Sequence, residues 1–293
     1  MTASLYRLSL VPALACSLAI PHLQAAEGDA PPPPDEEPQG WTRSAQLGGF
    51  FTSVATRNAD ESRDSAIAGS TEAISYLLSI DGRLDWRQDL HSVEQTAVLK
   101  FGRLKEEDRP WTENTDQIDY DGAYKYQLKK PSYMYGAWGL DTVFTGAEPD
   151  NEPFDPATAK ISAGYGQKYT WSDPARKWDW RVGARAQRSW GRLLTEDDRE
   201  IQTGIEFVTR WESKPREDLS YWLQYEAFSE FEDLNHITNL FTASLDYQLM
   251  KYLTLKLSLR AYYETEPDDA ETDIGYDDLS LRQETWLGMT YTL

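Results

Sequence analysis

The chain has 293 residues, a formal net charge of −20 at pH 7 and a mean hydropathy of −0.64. After Ile20 no apolar run approaches the ~20 residues of a spanning helix, so a helical membrane bundle is excluded, and the acidity argues against a nucleic-acid partner, which needs a basic surface. Yet 11 Trp and 17 Tyr suit a protein lying where apolar and aqueous surroundings meet.

Residues 1–25 read as a secretory signal peptide. Arg7 is the only charge before Glu27, an apolar stretch runs from Leu8 to Ile20, Pro21 follows, and Leu23-Gln24-Ala25 offers a small-residue cleavage site. The one cysteine, Cys16, sits in ALAC, which resembles a lipoprotein signal except that Ala13 stands where Leu is usual. Cleavage after Ala25 removes it and leaves no thiol or disulfide chemistry. Residues 26–40, AEGDAPPPPDEEPQG, combine four consecutive prolines with five acids and read as an extended, solvated linker.

From Trp41 to Leu293 the texture is uniform and has a period of two, which predicts one all-β domain. Ile74, Tyr76, Leu78, Ile80, Leu84 and Trp86 alternate with Ser75, Ser79, Asp81, Arg83 and Asp85. A helix would mix those two series within two turns, so this is a strand with unlike faces. Segments of this kind predict twelve strands at 41–57, 70–87, 91–103, 116–128, 132–145, 158–171, 177–190, 200–212, 219–228, 236–248, 252–263 and 279–293. Most reach the ~9 to 11 residues that cross a bilayer at a tilt. Short connections carrying turn residues such as Lys130-Pro131 and Asp173-Pro174 alternate with longer ones. That rhythm marks an up-and-down antiparallel barrel with both termini on the short-turn side.

A soluble barrel is also apolar on one face, its inner one. Three features favour the membrane form. Mid-strand charges of both signs sit on the polar series: Asp81, Arg83, Asp119, Asp121, Lys125, Lys168, Arg181, Arg185, Glu206, Arg210, Glu226, Asp246, Lys256 and Arg260 are the expected lumen lining. Aromatics of the apolar series gather at the short-turn end, among them Trp41, Trp86, Tyr126, Trp171, Trp178, Trp211, Tyr221 and Tyr247, as at a membrane interface. Lumen charges nearly balance, so the net acidity belongs to the linker and loops, above all to 264–278, where Glu264, Glu266, Asp268, Asp269, Glu271, Asp273, Asp277 and Asp278 stand without a base.

The signal peptide, the twelve two-faced strands and the terminal TWLGMTYTL resemble Gram-negative outer-membrane barrels, whose last strand carries an assembly signal ending in an aromatic, most often Phe. Tyr291 fits that pattern and Leu293 departs from it. The stretch 114–146, NTDQIDYDGAYKYQLKKPSYMYGAWGLDTVFTG, is similar to small uncharacterised outer-membrane barrels of the DUF type, including the salt-induced outer-membrane protein group. The resemblance implies location in the Gram-negative outer membrane, with the bilayer, lipopolysaccharide and the outer-membrane assembly machinery as partners.

No enzyme is expected. His22 leaves with the signal peptide and His91 sits at a short turn, so only His236, near Ser229, Glu230, Glu232 and Asp233, lies at the outer edge. It reads as a loop-edge histidine in a solvated acidic loop, and no triad is assigned. The 264–278 loop offers hard oxygen ligands for at most weak divalent-cation association, without the spacing of an EF-hand, and no cofactor motif occurs. The function expected is a narrow passive channel for small polar solutes. The alternatives are a plugged structural or stress-response barrel and, below it, a secreted soluble β-barrel binding protein.

Overall fold

The computed structural model describes residues 39–57, 63, 73–105, 111–146, 153–172, 175–191, 200–266 and 276–292. The signal peptide and nearly all of the linker, the centre of the 264–278 loop and Leu293 lie outside the described residues. Within them the chain forms twelve strands: β1 (Gly40–Arg57), β2 (Ala73–Gln88), β3 (His91–Lys105), β4 (Thr112–Gln127), β5 (Ser132–Thr142), β6 (Ala157–Ser172), β7 (Ala175–Trp190), β8 (Ile201–Arg216), β9 (Leu219–Glu230), β10 (Ile237–Met250), β11 (Leu253–Glu264) and β12 (Ser280–Thr292).

Each strand pairs antiparallel with its neighbours in sequence, and β1 pairs with β12, so the sheet closes. Closure leaves no edge with unpaired N–H and C=O groups, the condition for spanning a bilayer with strands. Tyr291 sits opposite Leu47 in the closing ladder.

Side chains are distributed inside out relative to a soluble protein. Trp41 is 63% exposed, Phe51 53% and Leu78 58%, and all three belong to the outward series. Their inward counterparts Phe50, Leu77 and Ser79 are buried. An outer surface that is mostly apolar along the strands is expected of lipid-facing strands and contrary to a soluble barrel. The short-turn rim carries rings in contact: Trp41 pairs with Trp86 at 6.3 Å, and Tyr169 stacks between Trp171 (6.3 Å) and Trp178 (5.5 Å), with Trp211 5.7 Å from Trp171.

Local chemistry sets the strand ends. The β2–β3 hairpin turns on Asp89 at φ 51°, a left-handed position that Asp tolerates. β5 stops at Thr142 rather than 145 because Asp116 of β4 takes the amides of Phe144 (2.6 Å) and Thr145 (2.7 Å), removing them from the ladder. β8 runs on past 212 to Arg216, and its register shifts between Ser213 and Arg216. Pro215 lies in that interval; lacking an N–H, it is tolerated where the ladder bulges.

Candidate functional site in the barrel lumen

The inner wall is thinnest where glycines align. Tyr135 of β5 is in register with Gly164 of β6, Gly164 with Gly183 of β7, and Gly183 with Glu206 of β8. With no side chain on the two intervening strands, the Tyr135 ring lies across them and its hydroxyl donates to Glu206 at 2.7 Å. A Cβ on Gly183 would stand 2.5 Å from that hydroxyl, so the close approach needs glycine. One pleat towards the short turns, Tyr133 crosses Gly166 in the same way and donates to Asp179.

Cations form a second tier over these rings. Lys125 Nζ lies 5.0 Å above the Tyr133 ring, the Arg181 guanidinium 5.1 Å above Tyr135, Arg185 4.9 Å above Phe228, and Arg210 4.4 Å above Trp222. A cation over a desolvated ring gains from the ring quadrupole, and carboxylates complete the charge balance. Lys125 donates to Glu94 (3.0 Å) and Asp179 (2.8 Å), and Lys168 adds a contact to Glu94 at 3.4 Å. Arg181 stands 3.5 Å from Glu206, Arg185 donates to Glu226 at 2.5 Å, and Arg210 donates to Glu212 at 2.6 Å. Lys160 lies 3.6 Å from Asp121 and 3.2 Å from Asp141.

The opposite part of the wall carries a different packing. Trp286 of β12 is fully buried among Phe50 and Leu77, with Lys100 4.8 Å and Lys256 5.3 Å from its ring. Arg282 is bound to Glu284 at 2.6 Å and reaches Thr115 of β4 at 2.8 Å, four strands around the barrel.

All fourteen residues expected in the lumen therefore lie on the inward series. Lys125, Lys168, Arg181, Arg185, Glu206, Arg210 and Glu226 join the tiered network. Asp121 is held by Lys160, Asp119 by Gln117, Arg83 by Asp85, and Asp246 stands 3.9 Å from Lys256. Asp81 lies opposite Gln46, and Arg260 opposite Arg282. The sequence reading missed Glu94, Lys100, Asp141, Lys160, Asp179 and Trp286 as lining residues. Parity names each of them: Glu94 faces Asp85 across the β2–β3 ladder, Asp141 faces Asp119, and Trp286 alternates in phase with Arg282 and Glu284.

At the long-loop rim His236 departs from the solvated position expected of it. It is 7% exposed, with Nε2 2.8 Å from Glu264 Oε1 and Nδ1 3.2 Å from Glu230 Oε1. The cause is register: β9 ends at Glu230 and β11 at Glu264, so the residue leading into β10 is clasped by both flanking strand ends. Burial alone would lower the imidazole pKa, but the hydrogen bonds to Glu230 and Glu264 and their charges outweigh it and raise the value to about 9. Glu264 also accepts from Tyr262 at 2.5 Å and pairs with Arg63 at 3.2 Å, and Arg63 stacks on Tyr276 at 4.4 Å. Glu264 is thus engaged by protein groups instead of standing free as a loop ligand. Ser229 donates to the Leu234 carbonyl at 3.1 Å, away from the imidazole. Among the described residues no cluster of His, Cys, Asp and Glu is arranged to hold a metal ion.

Residues 66–147, which contain the stretch 114–146 and span β2 to β5, match a family described as a protein of unknown function (DUF3078). No curated protein matches the sequence. Among solved structures, an outer membrane channel from Pseudomonas putida F1 is 12% identical, the match covering 90% of this chain and 100% of that one at a TM-score of 0.42. The NanC porin is 10% identical over 84% and 98% of the two chains, TM-score 0.41. The translocator domain of the autotransporter NalP from Neisseria meningitidis is 10% identical over 88% and 90%, TM-score 0.39. Closed, antiparallel, apolar outside and charged within, the chain is an outer-membrane-type β-barrel that resembles an uncharacterised family over its second to fifth strands.

Proposed function

We propose that the protein sits in the Gram-negative outer membrane as a narrow passive channel for small polar solutes. The observation that carries this reading is Asp121. It lies at the middle of β4 on the inward series, yet its side chain is 55% accessible to water. A packed plug would bury a mid-barrel carboxylate, and an ionised one would be costly there. Twelve strands enclose a backbone cylinder on the order of 24 Å across, and the tiered network together with the Trp286 cluster occupies much of it. On this reading the remainder is a water-lined path of small bore. The apolar exterior and aromatic rim fit a bilayer boundary and contact with lipopolysaccharide, and the chain would reach that membrane through its signal peptide and the assembly machinery.

Planar-bilayer recording of the purified barrel tests this. Stable single-channel steps are expected, with Asp121→Lys shifting the reversal potential in a salt gradient towards anion preference. A folded, heat-modifiable protein that gives no steps would instead be the plugged structural barrel.

A further inference from the structure

We infer that the short-turn mouth of the lumen contains a binding site for small organic carboxylates with a flat, ringed body. This names a solute class for the channel proposed above and in that sense rests on it. A cavity of about 370 Å³ opens between the start of β7, the end of β8 and the start of β9, lined by Lys177, Arg210, Glu212, Lys214, Ser220 and Trp222 among others. Its volume is at the lower end of small-molecule sites, too large for a simple ion and sufficient for a one-ring acid.

The lining is charge-asymmetric. Glu212 is its only carboxylate and is already bound by Arg210 at 2.6 Å. Lys177 faces Glu212 across the β7–β8 ladder and Lys214 forms no ion pair among the described residues, so the lining carries three cations to one carboxylate. Arg210 is fixed before any ligand arrives: Nε donates to Glu212, Nη1 donates to Gln224 at 3.1 Å, and the plane lies 4.4 Å from the Trp222 ring. A guanidinium has five N–H donors in a rigid fork, so its remaining donors are held in one orientation, suited to a carboxylate. The Ser220 hydroxyl adds a neutral donor, while the Trp222 edge and lysine stems supply apolar wall. Asp179, the cross-strand neighbour of Arg210, is already engaged by Lys125 and Tyr133, and the Arg83–Asp85 pair at 2.6 Å cancels within itself.

The test is calorimetric titration of the folded barrel in detergent with sodium benzoate, benzyl alcohol and sodium phosphate, run beside benzoate block of single-channel current. Benzoate is expected to bind, with both comparators at least about tenfold weaker, and Lys177→Gln/Lys214→Gln is expected to weaken benzoate by about tenfold. Lys177→Arg/Lys214→Arg should restore it. Both lysines are exposed at the mouth, and retained heat-modifiability certifies that the variants fold. Equal affinity for phosphate or benzyl alcohol, or a glutamine variant that binds as the wild type does, overturns the inference. Channel steps without benzoate binding would sink the site and leave the channel standing. Benzoate binding without steps would sink the channel and leave the site.

Discussion

Replacing His236 with glutamine removes a charge clasped between two carboxylates at the loop rim. A ring whose ordinary value is 6.5 but which holds its proton to about 9 is stabilised in its charged form by about 3 kcal/mol, at about 1.4 kcal/mol per tenfold in proton affinity. Because the folded value is raised, the contribution is complete below about 6.5 and disappears as pH rises through about 9. The group sits where β9, β10 and β11 meet, so what loosens is the rim and not the strand ladders. Hydrogen exchange and limited proteolysis over 231–236 and 276–279 are the assays. Wild type should be protected at pH 7 and lose roughly a hundredfold of that protection by pH 10.5, a factor that corresponds to about 3 kcal/mol. His236→Gln should be unprotected at both. Protection that is flat with pH in the wild type, or a variant that keeps the wild-type pH dependence, would refute the assignment of an imidazolium clasp.

Lys125→Met leaves Glu94 and Asp179 without their shared ammonium, and breaking a buried pair in this way costs about 3–5 kcal/mol; the urea midpoint of folding into vesicles should fall accordingly. Gly183→Val puts a side chain where the Tyr135 hydroxyl lies, an overpacking worth about 1–3 kcal/mol, and the same denaturation series reads it. Trp286→Ala removes a fully buried ring, which should cost about 3–5 kcal/mol while enlarging single-channel conductance.

Strand number, order and facing were legible because each strand must show two unlike faces when lipid lies on one side and charge on the other. β4 and β11 display this cleanly. β3 blurs it, with Val98 and Leu104 inward and Gln95 and Arg103 outward, and that is where Glu94 and Lys100 escaped notice. The glycines at 164 and 166 stand in plain view in the sequence, but what they make room for does not, since Tyr135 reaches a carboxylate 71 residues away. Contacts that skip strands leave no periodic trace. The clasp on His236 was obscured for a related reason: an acidic run looks solvated until the ends of two flanking strands bring Glu230 and Glu264 to the same imidazole.

The tyrosines that lie flat on the glycine row separate two jobs, building the wall and charging it. Hydrogen-bonded backbone and rings make the shell, and the cations resting on the rings carry the charge of the lumen. A relative of this chain can thus exchange Arg181 or Arg185 together with its carboxylate partner and keep the rings and glycines beneath, changing the charge of the lumen without redesigning how the cylinder is built. Divergence among such relatives should concentrate in that inner coat, with the glycine row changing least.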